Sequence, residues 1–237
     1  MKKIAILPGV RNHTDQYLRY IYQDINTKVK VFSTAPYFKF QDLKKEDYKF
    51  SPQPFKILSK VFGIKLSSGM KYVDSNIYEN FLSNYLKKYD PDIIHAYATY
   101  GLNTFKKNMK KFKILDRGCP HILTQIKNLS SEYEKYNLSF SKPNQKNIDK
   151  QIQEYKVSDK IVVQSKMVKL SFIENGIDEE KIKIVPISTN KKFKYKYKEN
   201  NKEKKIFGFC GGAIIRKGLI YVIKAWIRNK EEKNKEL

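Results

Sequence analysis

The sequence predicts an α/β protein built on a doubly wound, parallel sheet. Three observations predict it. Short apolar runs rich in Ile and Val recur at residues 3–7, 29–32, 92–97, 112–115, 160–164 and 181–185. Strands covered on both faces read as such continuous runs, not as an alternation. Segments between several of them carry apolar residues at helical spacing. Turn formers punctuate the series, among them Pro8-Gly9, Asp90-Pro91, Asn175-Gly176 and Pro186.

Each element follows from local chemistry. Residues 3–7 make the first buried strand, and Pro8-Gly9 turns the chain. Thr14 can cap a helix reaching about residue 26, with Tyr17, Leu18, Ile21, Tyr22 and Ile25 on one face. The strand at 29–32 completes a βαβ unit. Residues 34–70 hold Pro36, Pro52, Pro54, Gly63 and Gly69 and read as an aromatic-rich loop with one short helix. Val73, Ile77, Tyr78, Phe81, Tyr85 and Leu86 mark a helix over 72–89, stopped by Asp90-Pro91. The strand at 92–97 leads to a short helix ending in the lysine-rich run 106–111. Asp116-Arg117-Gly118 stands at the carboxyl end of the strand at 112–115. Helices are expected over 120–136 and 145–157. After the strand at 160–164, Ser165 caps a helix that closes at Asn175-Gly176, with glycine in the left-handed position. A strand at 181–185 ends at Pro186. Six strands thus complete one Rossmann-like domain over residues 1–187. Residues 188–204 form a linker, and the Lys-Tyr alternation at 194–198 reads as a solvated connector. Residues 205–210 open a second strand-turn-helix unit, with a helix over 217–229.

Composition bounds the function. Hydrophobic residues make up 41% of the 237, enough for a packed core. The formal charge is +24, but five arginines stand against 43 lysines. With abundant Asn, Ile, Tyr and Phe, that is the mix AT-rich coding sequence places on any solvated surface. It suits planar recognition of bases poorly, so nucleic acid is a poor partner. Two distant cysteines, Cys119 and Cys210, argue for a reducing compartment and against a disulfide framework. No Cys/His spacing suggests a metal. The apolar start is broken by Pro8, and no run is long enough to span a bilayer. A cytoplasmic protein is expected.

The chemistry concentrates near residue 210. An apolar strand runs into Cys210-Gly211-Gly212, then Arg216-Lys217-Gly218, then an amphipathic helix. Glycines admit a ligand to the backbone, and a helix start offers free N–H groups to an anion. Arg216 and Lys217 add full positive charge there and would stabilise a departing diphosphate. Elsewhere His13 reads as a surface residue, His95 lies near a strand's carboxyl end, and Asp159 reads as a structural cap or ion-pair partner. Glu132 and Glu134 fall on a solvated helix.

These stretches resemble glycosyltransferase family 4. The resemblance runs through Ser158-Asp159-Lys160-Ile161-Val162-Val163-Gln164-Ser165, Phe172-Ile173-Glu174-Asn175-Gly176-Ile177, Lys181-Ile182-Lys183-Ile184-Val185-Pro186 and Phe209-Cys210-Gly211-Gly212 with Arg216-Lys217-Gly218. It implies a GT-B fold, two Rossmann-like domains facing across a cleft. It also implies sugar transfer from a nucleotide-sugar donor to a glycan or lipid-linked acceptor, with retention and without a metal or other cofactor. Gly211, Gly212, Arg216 and Lys217 would then hold the donor diphosphate, Gly9 would face the donor, and His121 would contact the transferred sugar. The family's turn after Pro186 is here Ile187-Ser188-Thr189-Asn190, and its paired glutamates have no counterpart. The expectation is therefore one complete domain plus the first strand-helix unit of a donor domain over 205–237, truncated. One βα unit cannot bury Ile206, Phe207, Phe209, Val222, Ile223 and Trp226 by itself. A catalytically inactive basic module at an anionic membrane surface is the alternative. A sugar-nucleotide epimerase would share the architecture, but its acid residues have no assignable place.

Overall fold

Apolar runs become strands where both faces can be covered, and six of the seven strands of the main sheet lie where the sequence puts them. In the computed structural model, residues 1–9, 14–40, 42–187, 205–229 and 235–236 are described. The strands are β1 (Lys2–Gly9), β2 (Thr27–Ser33), β3 (Tyr48–Phe50), β4 (Ile93–Tyr97), β5 (Phe112–Arg117), β6 (Lys160–Val163) and β7 (Ile182–Ile184). Every pairing in the sheet is parallel, in the order β3-β2-β1-β4-β5-β6-β7. The winding reverses between β1 and β4, which makes the fold Rossmann-like α/β.

The helices of this part are α1 (Thr14–Ile21), α2 (Pro54–Phe62), α3 (Ser68–Tyr89), α4 (Leu102–Lys107), α5 (Ile122–Glu134), α6 (Gln145–Val157) and α7 (Lys166–Ile173). Strand alternation splits the core. Ile4 and Ile6 of β1 pack with Leu18 of α1 and with Val29 and Val31 of β2. Ala5 and Leu7 point to the opposite face. The helices α3, α4 and α6 pack on one another, burying Tyr78, Leu82, Leu86, Phe105 and Tyr155. Full burial of such side chains contributes roughly 1.5–3 kcal/mol each. Two capping expectations hold: Ser165 Oγ accepts the Val168 N–H at 3.3 Å, and Gly176 sits at φ +80°. The third does not, since Thr14 is the first residue of α1 and its buried Oγ1 bonds no described residue. Asp159 takes the Lys113 N–H at 2.7 Å and pairs with its Nζ at 2.9 Å.

Three further expectations fail. The helix predicted to reach residue 26 ends at Ile21. Asp24 turns the chain instead, taking the Asn26 N–H at 2.9 Å and the Thr27 hydroxyl at 2.5 Å, and Ile25 is left 88% exposed. The stretch read as loop with one helix also contributes β3, an edge strand too short to show a period. The strand expected over 205–210 covers only Lys205–Ile206.

By contact density the chain divides into two compact units: Met1–Gln125 with Lys142–Ser188, and Ile126–Ser141 with Thr189–Leu237. The second unit contains β8 (Lys205–Ile206) in parallel with β9 (Lys235–Glu236), and α8 (Leu219–Arg228). None of the residues of α8 is buried, and Ile227 is 63% exposed. Within this unit the Tyr221 hydroxyl donates to Glu132, and Lys224 lies 4.5 Å from the Tyr136 ring centre. The linker 188–204, His13, Glu231 and Glu232 lie outside the described residues. No described helix is long and apolar enough to cross a membrane.

Candidate active site at the carboxyl edge of the sheet

In a parallel sheet the carboxyl ends of the strands share one edge, and the loops leaving them are free to build a site. Here that edge carries a cavity of about 190 Å³ beside β4, β5 and β6. Its walls are Tyr97 and Ala98 after β4, Asp116, Arg117, Gly118 and Cys119 from β5 and its loop, and Gln164 after β6. Gly118 has a packing reason: a Cβ there would lie 2.9 Å from Gln164 Nε2, so glycine leaves room for that amide.

Alternation along β5 sends Asp116 and Arg117 to opposite faces, so these neighbours of opposite charge do not pair. Asp116 joins Tyr17 of α1 and His95 of β4. The Tyr17 hydroxyl donates to Asp116 Oδ2 at 2.5 Å. Burial, then Asp116, push the Tyr17 phenol far above its usual range, so it stays a donor. His95 Nε2 stands 3.6 Å from the same oxygen, too far for a hydrogen bond. The imidazole meets the Tyr17 ring edge-on at 4.9 Å and stacks with Tyr97 at 5.8 Å. Asp116 Oδ1 and His95 Nε2 are buried, and neither bonds any described residue.

Arg117 turns to the other face and ties down its own loop. It donates to Gln151 Oε1 at 2.6 Å, Gln125 Oε1 at 2.8 Å and the Pro120 carbonyl at 3.3 Å. All three acceptors are neutral. His121 is set just before α5, where its Nδ1 accepts the Leu123 N–H at 3.4 Å and its own N–H donates to Ser171 Oγ at 2.9 Å. Its ring sits between Tyr155 and Phe172, at 4.9 and 5.3 Å. Burial, then Arg117, lower its pKa to about 4, so the imidazole is neutral at physiological pH. His121 does not line the cavity.

The loop after β4 is fixed from beneath. Thr99 has φ +82°, a conformation a β-branched residue rarely adopts. Glu154 of α6 holds it, accepting N–H bonds from Thr99 at 2.7 Å, Gly101 at 2.9 Å and Leu102 at 3.2 Å. Glu79 accepts the Thr104 N–H at 3.0 Å and pairs with Lys150 at 2.5 Å. Burial, then Glu79, raise the Glu154 pKa to about 7, against the opposing pull of Lys150 and the backbone donors. Such strain persists only where the surroundings over-determine it, and it clusters at functional edges.

The other predicted site residues are elsewhere. Gly9, at φ +62°, faces Tyr100, whose ring would lie 2.5 Å from an added Cβ, and its N–H donates to the Tyr78 hydroxyl at 3.3 Å. Gly211, Gly212, Arg216 and Lys217 belong to the second unit. An added Cβ at Gly212 meets nothing within 4 Å. Arg216 and Lys217 are exposed on a single 3₁₀ turn, followed by Gly218 at φ +76° and then α8, whose start has no side-chain cap. Gly9 and His121 thus lie in one unit and the glycine turn with its two cations in the other. Sequence reasoning gave no role to Tyr17, Asp116, Gln164 or Glu154. The one signal was the placement of Asp116-Arg117-Gly118 at a strand's carboxyl end. Among the described residues, no group of three or more His, Cys, Asp or Glu side chains is placed to hold a metal.

No family model matches the sequence, and no curated protein does. Among solved structures the chain is similar to the UDP-GlcNAc 2-epimerase from Methanocaldococcus jannaschii, at 12% identity and a TM-score of 0.47 over 77% of this chain and 45% of that one. It is similar to the same enzyme from Neisseria meningitidis bound to UDP-GlcNAc, at 12% and 0.47 over 78% and 45%. The lipopolysaccharide outer core galactosyltransferase WaaB matches at 16% and 0.40 over 78% and 45%. The chain spans less than half the length of each.

Proposed function

We propose that this chain belongs to a nucleotide-sugar-using enzyme of GT-B type, a glycosyltransferase that moves a sugar, with retention, onto a glycan or lipid-linked acceptor. The observation that carries the reading is the turn before α8. Two exposed cations, Arg216 and Lys217, stand immediately ahead of a ten-residue helix without a side-chain cap, and the backbone at Gly212 is open to approach. Uncapped N–H groups and paired positive charge favour a diphosphate and stabilise it as it leaves. In this reading the Rossmann-like unit serves the acceptor and the sugar; His121, packed between Tyr155 and Phe172, and Gly9, covered by Tyr100, would have to be uncovered to contact either one. A neutral His121 would act by hydrogen bonding and not as a cation.

The test is equilibrium binding of UDP, GDP, ADP and their sugar conjugates, followed by assays of donor hydrolysis and transfer with product stereochemistry resolved. Arg216→Ala with Lys217→Ala should abolish diphosphate binding. Binding that persists in the double variant removes the assignment, and interconversion of the donor sugar without transfer would replace transferase by epimerase.

One observation favours a second reading. A hollow of about 590 Å³ at the amino end of β1 and β2 is lined by Lys3, Lys28, Lys30, Lys44 and Lys88, which outnumber Glu46 and Asp47 in the same wall. Such a surface suits an anionic membrane, and flotation with anionic vesicles that collapses with salt would support that contact.

A further inference from the structure

We propose that the cavity at the carboxyl ends of β4, β5 and β6 is a sugar-hydroxyl subsite in which Asp116 Oδ1 accepts a hydrogen bond from a ligand hydroxyl. The proposal rests on the nucleotide-sugar reading for its choice of ligand, and deepens it by placing the ring hydroxyls.

Asp116 is one of the residues lining the cavity, and its side chain is 1% exposed. Its Oδ2 is satisfied by Tyr17, while its Oδ1 bonds nothing among the described residues. A buried polar atom left unpaired costs about 1–3 kcal/mol, more if charged, so folds rarely keep one without use. Arg117, the nearest cation in sequence, is committed to Gln151, Gln125 and Pro120 on the opposite face. His95 cannot close the gap, because its Nε2 approaches Oδ2 only to 3.6 Å and is itself unsatisfied. The carboxylate is therefore positioned by the phenol and flanked by the imidazole, with one acceptor to spare.

The walls select the ligand class. A phosphate placed here would face the Asp116 carboxylate, and the Arg117 guanidinium in the same wall is already bonded to Gln151, Gln125 and Pro120. A neutral polyol would find an acceptor in Asp116 and an amide, both donor and acceptor, in Gln164. Gly118 keeps that amide in place, since any Cβ there displaces it. The cavity, about 190 Å³, exceeds by several times the ~30 Å³ share of a single water.

The experiment has two arms. Saturation-transfer NMR with free methyl glycosides of glucose, galactose and mannose and with N-acetylglucosamine, in the absence of nucleotide, probes the subsite directly. Titration with UDP alone probes the phosphate cradle. Asp116→Asn should weaken binding of the preferred sugar about 10- to 100-fold, the range of a hydrogen bond to a charged group, and leave UDP binding unchanged. The deoxy analogue lacking the recognised hydroxyl should lose affinity for the wild-type protein and lose nothing further in Asp116→Asn. Gly118→Ala, which leaves the buried carboxylate intact but moves the Gln164 amide, should also weaken sugar binding and keeps the test alive if Asp116→Asn does not fold. Sugars that bind neither form, or bind the wild type and both variants alike, overturn the subsite whatever UDP does. Sugar binding that depends on Asp116 without any UDP binding upholds the subsite and sinks the nucleotide reading.

Discussion

Two helix starts in this protein meet the same physical demand in opposite ways. The first N–H groups of a helix have no intrahelical acceptor and attract negative charge. At α4 the fold supplies that charge itself: Glu154 takes the N–H groups of Thr99, Gly101 and Leu102, and Glu79 takes that of Thr104. At α8 no side chain caps the start, and the turn before it carries Arg216 and Lys217. The first start is closed by internal anions and serves shape. The second adds cations to an uncapped end, which is the arrangement that suits an external anion. The difference teaches that a helix terminus becomes a candidate site only where the fold has not already answered it.

Removing the internal answer should have the largest effect. Glu154→Ala leaves three N–H groups and the φ +82° conformation of Thr99 without support. Loss of about 3–5 kcal/mol is expected in denaturant unfolding, the cost typical of breaking a buried charged network. Loss of hydrogen-exchange protection should centre on residues 99–104. A change below about 1 kcal/mol would break the comparison, because α4 would then not depend on its anion.

Glycine turns sharpen it next. Gly9→Ala should cost about 2–4 kcal/mol, from a left-handed φ of +62° and a Cβ placed 2.5 Å from the Tyr100 ring. A thermal melt reads it directly. A neutral result would mean Tyr100 is free to leave, and Gly9 would again be open to a ligand.

The Glu154 carboxyl should also be visible in pH dependence. Glu154 titrates near 7 in the folded protein against 4.5 unfolded, so the folded state holds the proton longer. Its contribution is complete below pH 4.5 and is lost as pH rises through 7. His121 has the opposite sign: about 4 folded against 6.5 unfolded, so its contribution is present above 6.5 and lost as pH falls toward 4. The two slopes oppose each other in the wild type. Melting temperature against pH in Glu154→Gln should show the His121 slope alone. Profiles identical to wild type would remove Glu154 from that window.

The strands were legible because buried parallel strands are written as apolar runs; Asp159 was legible as a structural residue, but its partner Lys113, 46 positions away, was not. What was hidden depends on distance and direction. Tyr17 reads as one more aromatic on the apolar face of α1, yet its hydroxyl ends on Asp116, 99 positions away. Asp116 beside Arg117 looks like an ion pair until strand alternation sends them apart. Glu154 sits in a helix full of polar residues, and its partners lie 52–55 positions away. β3 has three residues and no period at all.

The smallest effect on stability belongs to the open helix start, and it separates the two regions most cleanly. An added methyl at Gly212 meets nothing within 4 Å, and the backbone there has no left-handed φ. Gly212→Ala should therefore be neutral or stabilise by up to about 1 kcal/mol, through a less flexible unfolded chain. Arg216→Ala with Lys217→Ala should change stability by no more than ~0.5 kcal/mol, as exposed substitutions do. If the turn is a phosphate cradle, both variants nonetheless lose UDP binding: one by blocking backbone approach, the other by removing charge. A glycine kept only for local flexibility gives the same quiet melt and leaves UDP affinity unchanged. Affinity, read beside a flat stability profile, is then the measurement that tells an unanswered helix start from an idle one.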